Sequence, residues 1–287
     1  MPSTGSASAR EEALQRVLVD AHVHIYPCFE WGECFGSAWR NFAAQGPAGP
    51  FANLLLLTET WQDHAFDRLA ELAHAGGGVA GANGTWSVSP TRESESLTVA
   101  GPEGQSLVLI AGRQIQTREG LEVLALGSIE APPDGLPLAP AVEWARAAGA
   151  LPAIPWGFGK WWGKRGSVLE RYLNESDGAI FLGDNSGRPW FYAEPRLFKL
   201  ARRKRIPILP GSDPLPLTSE SWRAGSFGFA FTGWIDAGAP WGSLRAQLRA
   251  PDFNPSPYGP REKALRFVRN QALMQLRRRR EARGVER

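Results

Sequence analysis

Histidine, cysteine and methionine are scarce in this chain, which has four, two and two of them in 287 residues. Cys28 and Cys34 stand in a Cys-x5-Cys spacing that matches no common zinc knuckle, so reduced, partly buried thiols are expected. Cys28 lies four residues after His24, which keeps a thiolate ligand open as an alternative. Long apolar runs are absent too, none approaching the roughly 18 residues that span a membrane. The opening stretch MPSTGSASAREEALQR is polar and lacks the apolar centre of a secretory signal. A cytoplasmic protein with no membrane partner is the expectation. No Gly-x-Gly-x-x-Gly fingerprint between a strand and a helix, phosphate-binding loop or nucleophile elbow is present, which excludes nucleotide-dependent dehydrogenases, kinases and serine hydrolases.

Charge and tryptophan are unevenly spread. The net charge is +3, yet residues 261–287 hold ten basic and three acidic side chains, a net +7, leaving −4 on the first 260. In that tail Leu265, Val268, Leu273 and Leu276 recur at roughly helical spacing, predicting an amphipathic helix docked on the body with its basic residues in water. The run Arg277–Arg280 reads as a solvated helix end, with nucleic acid or an acidic membrane surface as the rival contacts. Because the body is acidic, nucleic acid is not expected as a partner. Twelve tryptophans, several beside Gly, Lys or Arg, suggest an aromatic-walled cleft as well as core packing.

Two of the four histidines fall in VLVDAHVHIYP (17–27). Val17–Val19 read as a buried strand, in which residues i and i+2 share a face, so His22 and His24 would project together beside Asp20. Two imidazoles and a carboxylate suit a divalent metal; a pair of satisfied polar residues at a strand end is the plainer alternative.

Downstream, NLLLLTET (53–60) reads as a second buried strand and DHAFDRLAELAHAGG as a helix closed by glycine. Residues 84–127 form short β runs between Pro-Glu-Gly and Arg-Glu-Gly turns, the pattern of antiparallel hairpins. From 139 onward helices alternate with the apolar strands LPAIPW, GAIFLGD and IPILPGSD, and SFGFAFTGW is a further strand candidate. That rhythm predicts an α/β fold, a barrel with its site at the strand C-termini. The strand ends then deliver Asp20, His22, His24, Glu59, Gln114, Glu122, Trp156, Asp184, Asn185 and Asp213, the groups a metal-assisted hydrolase assembles. Asp213 is the candidate base or metal ligand.

Two loops carry further candidates. PWGFGKWWGKRG (155–166) combines Lys160, Lys164 and Arg165, which can hold an anion, with Trp156, Trp161 and Trp162, which can cover a sugar or base. An exposed basic loop pinned by buried tryptophans explains the same letters. In GDNSGRPW (183–190), Asp184, Asn185 and Arg188 either bind substrate at the mouth or build a turn. His64 is read as a surface or capping residue and His74 as a helix C-terminal one.

VDAHVHI together with IPILPGSD resembles the PHP (polymerase and histidinol phosphatase) family, and AGRQIQTREGLEVLALG is similar to that family's middle section. The likeness covers residues 17–215. It implies a distorted (β/α)7 barrel, expected to span 17–260 with a hairpin insertion; the residues themselves suggest a flexible segment 1–16 and a basic helix 261–287 as flanks. It also implies metal-dependent phosphoester hydrolysis. Several family ligands are replaced: Thr60, Gln114, Glu122, Ile154-Pro155 and Leu215 stand where His, Glu, His, His-Pro and His are usual. The resemblance therefore implies one Zn, Mn or Fe ion on His22, His24 and Asp213, with Glu59, Glu122 or Asp184 as an added ligand. Lys160, Arg165 and Arg188 would stabilise charge, and Trp156, Trp161, Asp184, Asn185 and Arg188 would contact a small anionic or phosphorylated substrate. The alternative is a degenerate barrel that binds a ligand or partner without catalysis. The residues do not specify an oligomeric state.

Overall fold

The structure, a computed structural model, describes residues 14–176 and 179–285, with the backbone alone for 278–285. The first thirteen residues of the expected N-terminal segment, and the side chains of the Arg run beyond Arg277, lie outside the described residues. Strand β1 (Gln15–Val23) takes in the last two residues of that segment, and its Val17–Val19 are fully buried. Helix α1 (Trp31–Ala43) buries Cys34, Phe35, Ala38 and Phe42 on one face, and β2 (Asn53–Leu57) is buried throughout. Helix α2 (Ala65–His74) follows, burying Ala65, Phe66, Leu69 and Ala73 at helical spacing.

Strands β3 (Gly78–Gly81), β4 (Gly84–Pro90), β5 (Ser96–Ala100) and β6 (Ser106–Ile110) make an antiparallel ribbon. Strands β7 (Gly112–Gln116) and β8 (Glu122–Leu126) form a further hairpin. Then come α3 (Leu138–Ala147), β9 (Leu151–Pro155), α4 (Gly163–Glu175), β10 (Phe181–Asn185), α5 (Arg196–Arg203) and β11 (Ile208–Gly211). A 3-10 turn (Thr218–Arg223), β12 (Gly228–Gly233), α6 (Pro240–Leu248), β13 (Ser256–Tyr258) and α7 (Ala264–Val285) complete the chain. No described helix is long and apolar enough to cross a membrane.

These strands form two sheets, β13-β12-β1-β2-β6-β5-β4-β3 and β11-β10-β9-β8-β7. The expected closed barrel is corrected here: the fold is mixed α/β, and its sheets do not close into a barrel. Parallel pairing holds for β1–β2, β2–β6, β9–β10 and β10–β11, but β12 runs antiparallel to β1 and β8 antiparallel to β9. An apolar run encodes burial and leaves strand direction open. The hairpin region is also no appendage, because β6 pairs in parallel with β2 and carries the ribbon into the main sheet.

Alternation builds the layers. Val17, Val19, Leu54, Leu56, Val108 and Ile110 meet Leu124, Leu126, Leu151 and Leu209 of the other sheet. Their neighbours Leu18, Leu55, Leu57 and Leu109 turn to α1 and α2. The outer face of the second sheet is covered by α3, α4 and α5. Each Leu buried in this way is worth about 1.5–3 kcal/mol relative to exposure.

The sheets touch at two seams. At one, Glu59 N–H donates to Gly112 O at 2.9 Å and Gln114 N–H to Glu59 O at 2.8 Å; at the other, Asp213 N–H donates to His22 O at 2.8 Å. Both seams need glycine. A Cβ on Gly112 would run into Leu57 O, and one on Gly211 would sit 2.5 Å from His22 Cβ. The second seam is where β1 ends.

Candidate metal centre

Between Asp20 and Val23 the β1–β2 ladder slips: Asp20 pairs with Leu55, and Val23, three residues on, pairs with Leu57, only two on. The extra residue is a β-bulge, which re-aims the side chains beyond it. Before the bulge Leu18 turns to the helices; after it Val23 and Ile25 do, so His22 and His24 point toward the second sheet. Asp20 does not join them as strict alternation predicted. Its carboxylate accepts N–H groups from Ser212 (2.8 Å), Gly225 (2.8 Å) and His22 (3.2 Å), tying β1 to the segments after β11 and before β12. Burial pushes the Asp20 pKa up to about 7 against these three donors.

The structure brings His22, His24 and Asp213 together. The two Nε2 atoms are 3.0 Å apart, and Asp213 Oδ1 is 3.5 Å from the first and 3.7 Å from the second. Ligand atoms about 2.0–2.2 Å from one ion stand roughly 3.0–3.6 Å from one another, so this triangle fits a single cation. Burial pushes both histidines down to about 4, so at neutral pH the rings are neutral and each keeps one nitrogen lone pair. Burial raises Asp213 as well. Its backbone lies in the left-handed region (φ 47°), a conformation Asp tolerates better than most residues. Asn185 Nδ2 donates to Asp213 Oδ2 at 2.8 Å and to Trp156 O at 2.8 Å, fixing the carboxylate from the β10 side. The buried Nδ1 atoms of both histidines have no hydrogen-bond partner, whereas zinc-bound imidazoles ordinarily donate that N–H. Tyr26 stacks on His24 with ring centroids 5.2 Å apart.

The other candidate ligands stand outside this triangle, each against a cation. Glu59 is buried, receives Phe66 N–H at 2.9 Å at the start of α2, and pairs with Arg113 Nη1 at 3.1 Å. Burial raises it to about 7. Glu122 is bonded to Lys160; burial pushes its pKa upward, but the ammonium outweighs that and holds it below the usual carboxylate range. Asp184 grips Arg188 through two bonds, of 2.8 and 2.5 Å. Among the described residues, His22, His24 and Asp213 form the cluster that metal-ligand spacing selects.

The expected substrate contacts divide in the same way. A cavity of 330 Å³ opens beside Asp213 and is lined by Trp156, Phe158, Lys160 and Asn185. Trp161 is not on it; that ring is 8% exposed and packs edge-on against Phe198 at 5.2 Å, a core residue. Arg165 donates to Gly159 O at 2.8 Å and steadies its own loop. Asp184 and Arg188 face the opposite side from Asn185, as successive strand residues do, and line a separate groove with Arg202 and Arg261.

The far wall of the cavity is α7, through Phe267, Asn270, Gln271, Met274 and Gln275. The sequence placed a different face inward. Leu265, Val268 and Leu276 are 84%, 64% and 51% exposed, whereas Asn270 is buried and donates to Glu220 Oε1 at 3.3 Å. The spacing 267, 270, 271, 274, 275 is the signal that marks this face, and mixed polarity hides it from a search for apolar stripes.

No family model matches the sequence, and no curated protein does. Among solved structures the chain is similar to PsfC from Pseudomonas syringae at 13% identity and a TM-score of 0.49, over 91% of this chain and 98% of that one. It is similar to the lesion-specific endonuclease PfuEndoQ from Pyrococcus furiosus at 13% identity and a TM-score of 0.49, over 84% of this chain and 57% of that one. A two-domain protein from Bacteroides vulgatus, containing a predicted PHP-like metal-dependent phosphoesterase, matches at 15% identity and a TM-score of 0.44, over 86% and 65%. The chain thus spans less than two thirds of the last two. One of these proteins is an endonuclease, so the expectation that nucleic acid is not a partner is withdrawn.

Proposed function

We propose that the protein is a PHP-like metal-dependent hydrolase, a phosphoesterase for a small anionic substrate, with one divalent cation on His22 Nε2, His24 Nε2 and Asp213 Oδ1. The observation that carries this reading is the donor triangle of two neutral imidazoles and one carboxylate beside an open cavity. Two nitrogens and an oxygen suit Zn, Mn or Fe. Such an ion supplies a water acidified toward neutrality and charge neutralisation at a phosphoryl oxygen. The residues do the rest. Asn185 orients Asp213, and Lys160, steadied by Glu122, offers its ammonium to the phosphoryl group. Hydrolysis there would join a water oxygen to phosphorus and break the ester P–O bond, with the departing alcohol taking up the water's proton.

Elemental analysis of protein purified without chelator tests this: about one ion per chain is expected, absent from the folded H22A/H24A double variant. Turnover of a phosphoester panel should disappear on chelation. Metal-free protein that takes up no added ion would overturn the reading. A second reading, a binding protein without turnover, draws on the ion pairs that engage Glu59, Glu122 and Asp184. Binding of a phosphorylated ligand that survives chelation, with no turnover, would favour it.

A further inference from the structure

Building on that hydrolase reading, we propose that α7 is the specificity wall of the cavity, and that the leaving group it accepts is an uncharged, ring-bearing alcohol. Residues 267, 270, 271, 274 and 275 follow the i, i+3, i+4, i+7, i+8 pattern of one helix face. That face presents an aromatic ring, a thioether and three amides, with no ionisable group, although the surrounding segment is strongly basic.

Among the described residues, four basic side chains of the segment have partners outside this face, Arg277 on Pro216 O among them. Arg266 lies over the Trp222 ring at 4.8 Å, Arg269 donates to Ser219 Oγ at 2.9 Å, and Arg261 reaches Asp184 at 3.5 Å. Of the two cations that the described residues place on the cavity, Arg223 is held by two carboxylates, Glu220 at 2.8 Å and Glu262 at 2.5 Å, and Lys160 by one, Glu122. Among the described residues, Lys160, on the Asp213 side, is then the cation that faces a substrate's phosphoryl group. A second anionic group would lie against neutral amides with Glu262 nearby, losing its hydration without a counter-charge. Phe158 and Phe267, edge to face at 5.0 Å, give a flat apolar contact, and Gln271 and Gln275 offer hydrogen bonds to ring substituents. The cavity volume of 330 Å³ is of the size that holds one such molecule.

The test is calorimetric binding of phenylphosphonate and para-carboxyphenylphosphonate to the full-length, metal-loaded protein, with turnover of phenyl phosphate measured alongside. Phenylphosphonate should bind at least about tenfold more tightly, and Q271K should reduce that preference to about unity by favouring the carboxylated ligand. If Q271K does not give the wild-type circular dichroism spectrum, Q275K, at an exposed position, replaces it. Equal binding of both ligands by the wild type, or an unchanged preference in the lysine variant, overturns the wall even where phenyl phosphate is hydrolysed. Preserved discrimination without turnover instead overturns the hydrolase reading and leaves the wall standing.

Discussion

Substituting Gly211 by alanine should empty the proposed metal centre without replacing a ligand. The added Cβ would lie 2.5 Å from His22 Cβ, and carbon atoms rest about 3.5–4.0 Å apart, so β11 must retreat from β1 by about 1 Å. Forcing a methyl group into a packed seam costs about 1–3 kcal/mol. The retreat also stretches the Asp213 N–H to His22 O and Ser212 N–H to Asp20 bonds, worth about 1 and 1.5–3 kcal/mol. A loss of up to about 3.5–7 kcal/mol in urea unfolding is expected. Asp213 Oδ1 would move beyond about 4.2 Å from the imidazoles, too far to share an ion with bonds near 2.1 Å. Metal affinity by competition titration should fall at least about tenfold, the lower range seen when only an outer partner of a ligand is lost. G36A, in α1, is the control, since its Cβ meets only the end of the Arg40 side chain at 3.4 Å and Trp86 at 3.9 Å. Wild-type metal affinity in a folded G211A protein would show that this seam does not place Asp213, or that Asp213 is no ligand.

Arg113→Met strands Glu59 in the interior and should cost about 3–5 kcal/mol in urea unfolding, whereas the R113M/E59Q double variant should recover much of that. His22 and His24 titrate near 4 when folded and 6.5 when unfolded, so the unfolded chain binds more protons between those values and these groups lose stability as pH falls through the window. Asp20 and Glu59, raised to about 7, act in the opposite sense: the stability they contribute at low pH is lost as pH rises through about 7. Comparing chelated wild type with H22N/H24N cancels the carboxylates; the stability difference, wild type minus variant, should drop by several kcal/mol from pH 6.5 to 4, and a constant difference refutes neutral burial. V268D, on the exposed face of α7, should change the unfolding free energy by less than about 0.5 kcal/mol. W161A should cost about 3–5 kcal/mol by the same measurement, because it opens a cavity in the core.

What the sequence made legible followed from local pattern. Val17–Val19, Leu54–Leu57 and the strands at 151–155, 181–185 and 208–211 were visible as apolar runs, and the histidine pair as an i, i+2 spacing. Strand direction was not, since the β12 run would look the same whichever way it lay beside β1. The bulge that parts Asp20 from His22 is a slip of register and leaves no mark in composition. Carboxylates at strand ends were countable, but their cations were not: Glu59 meets Arg113 and Glu122 meets Lys160 across 54 and 38 residues. On α7 the most apolar positions point to water because the surface the helix covers is itself a mixture of rings and amides.

The brace at Asp20 also bears on when the centre can exist during synthesis. Its acceptor oxygens reach Ser212 and Gly225, separated from it by 192 and 205 residues. A nascent chain that has emerged only through β10 displays the imidazole pair with no carboxylate to complete it and no clasp on the strand. The three side chains thus come together only after the segment through Gly225 has been made, long after the histidines themselves.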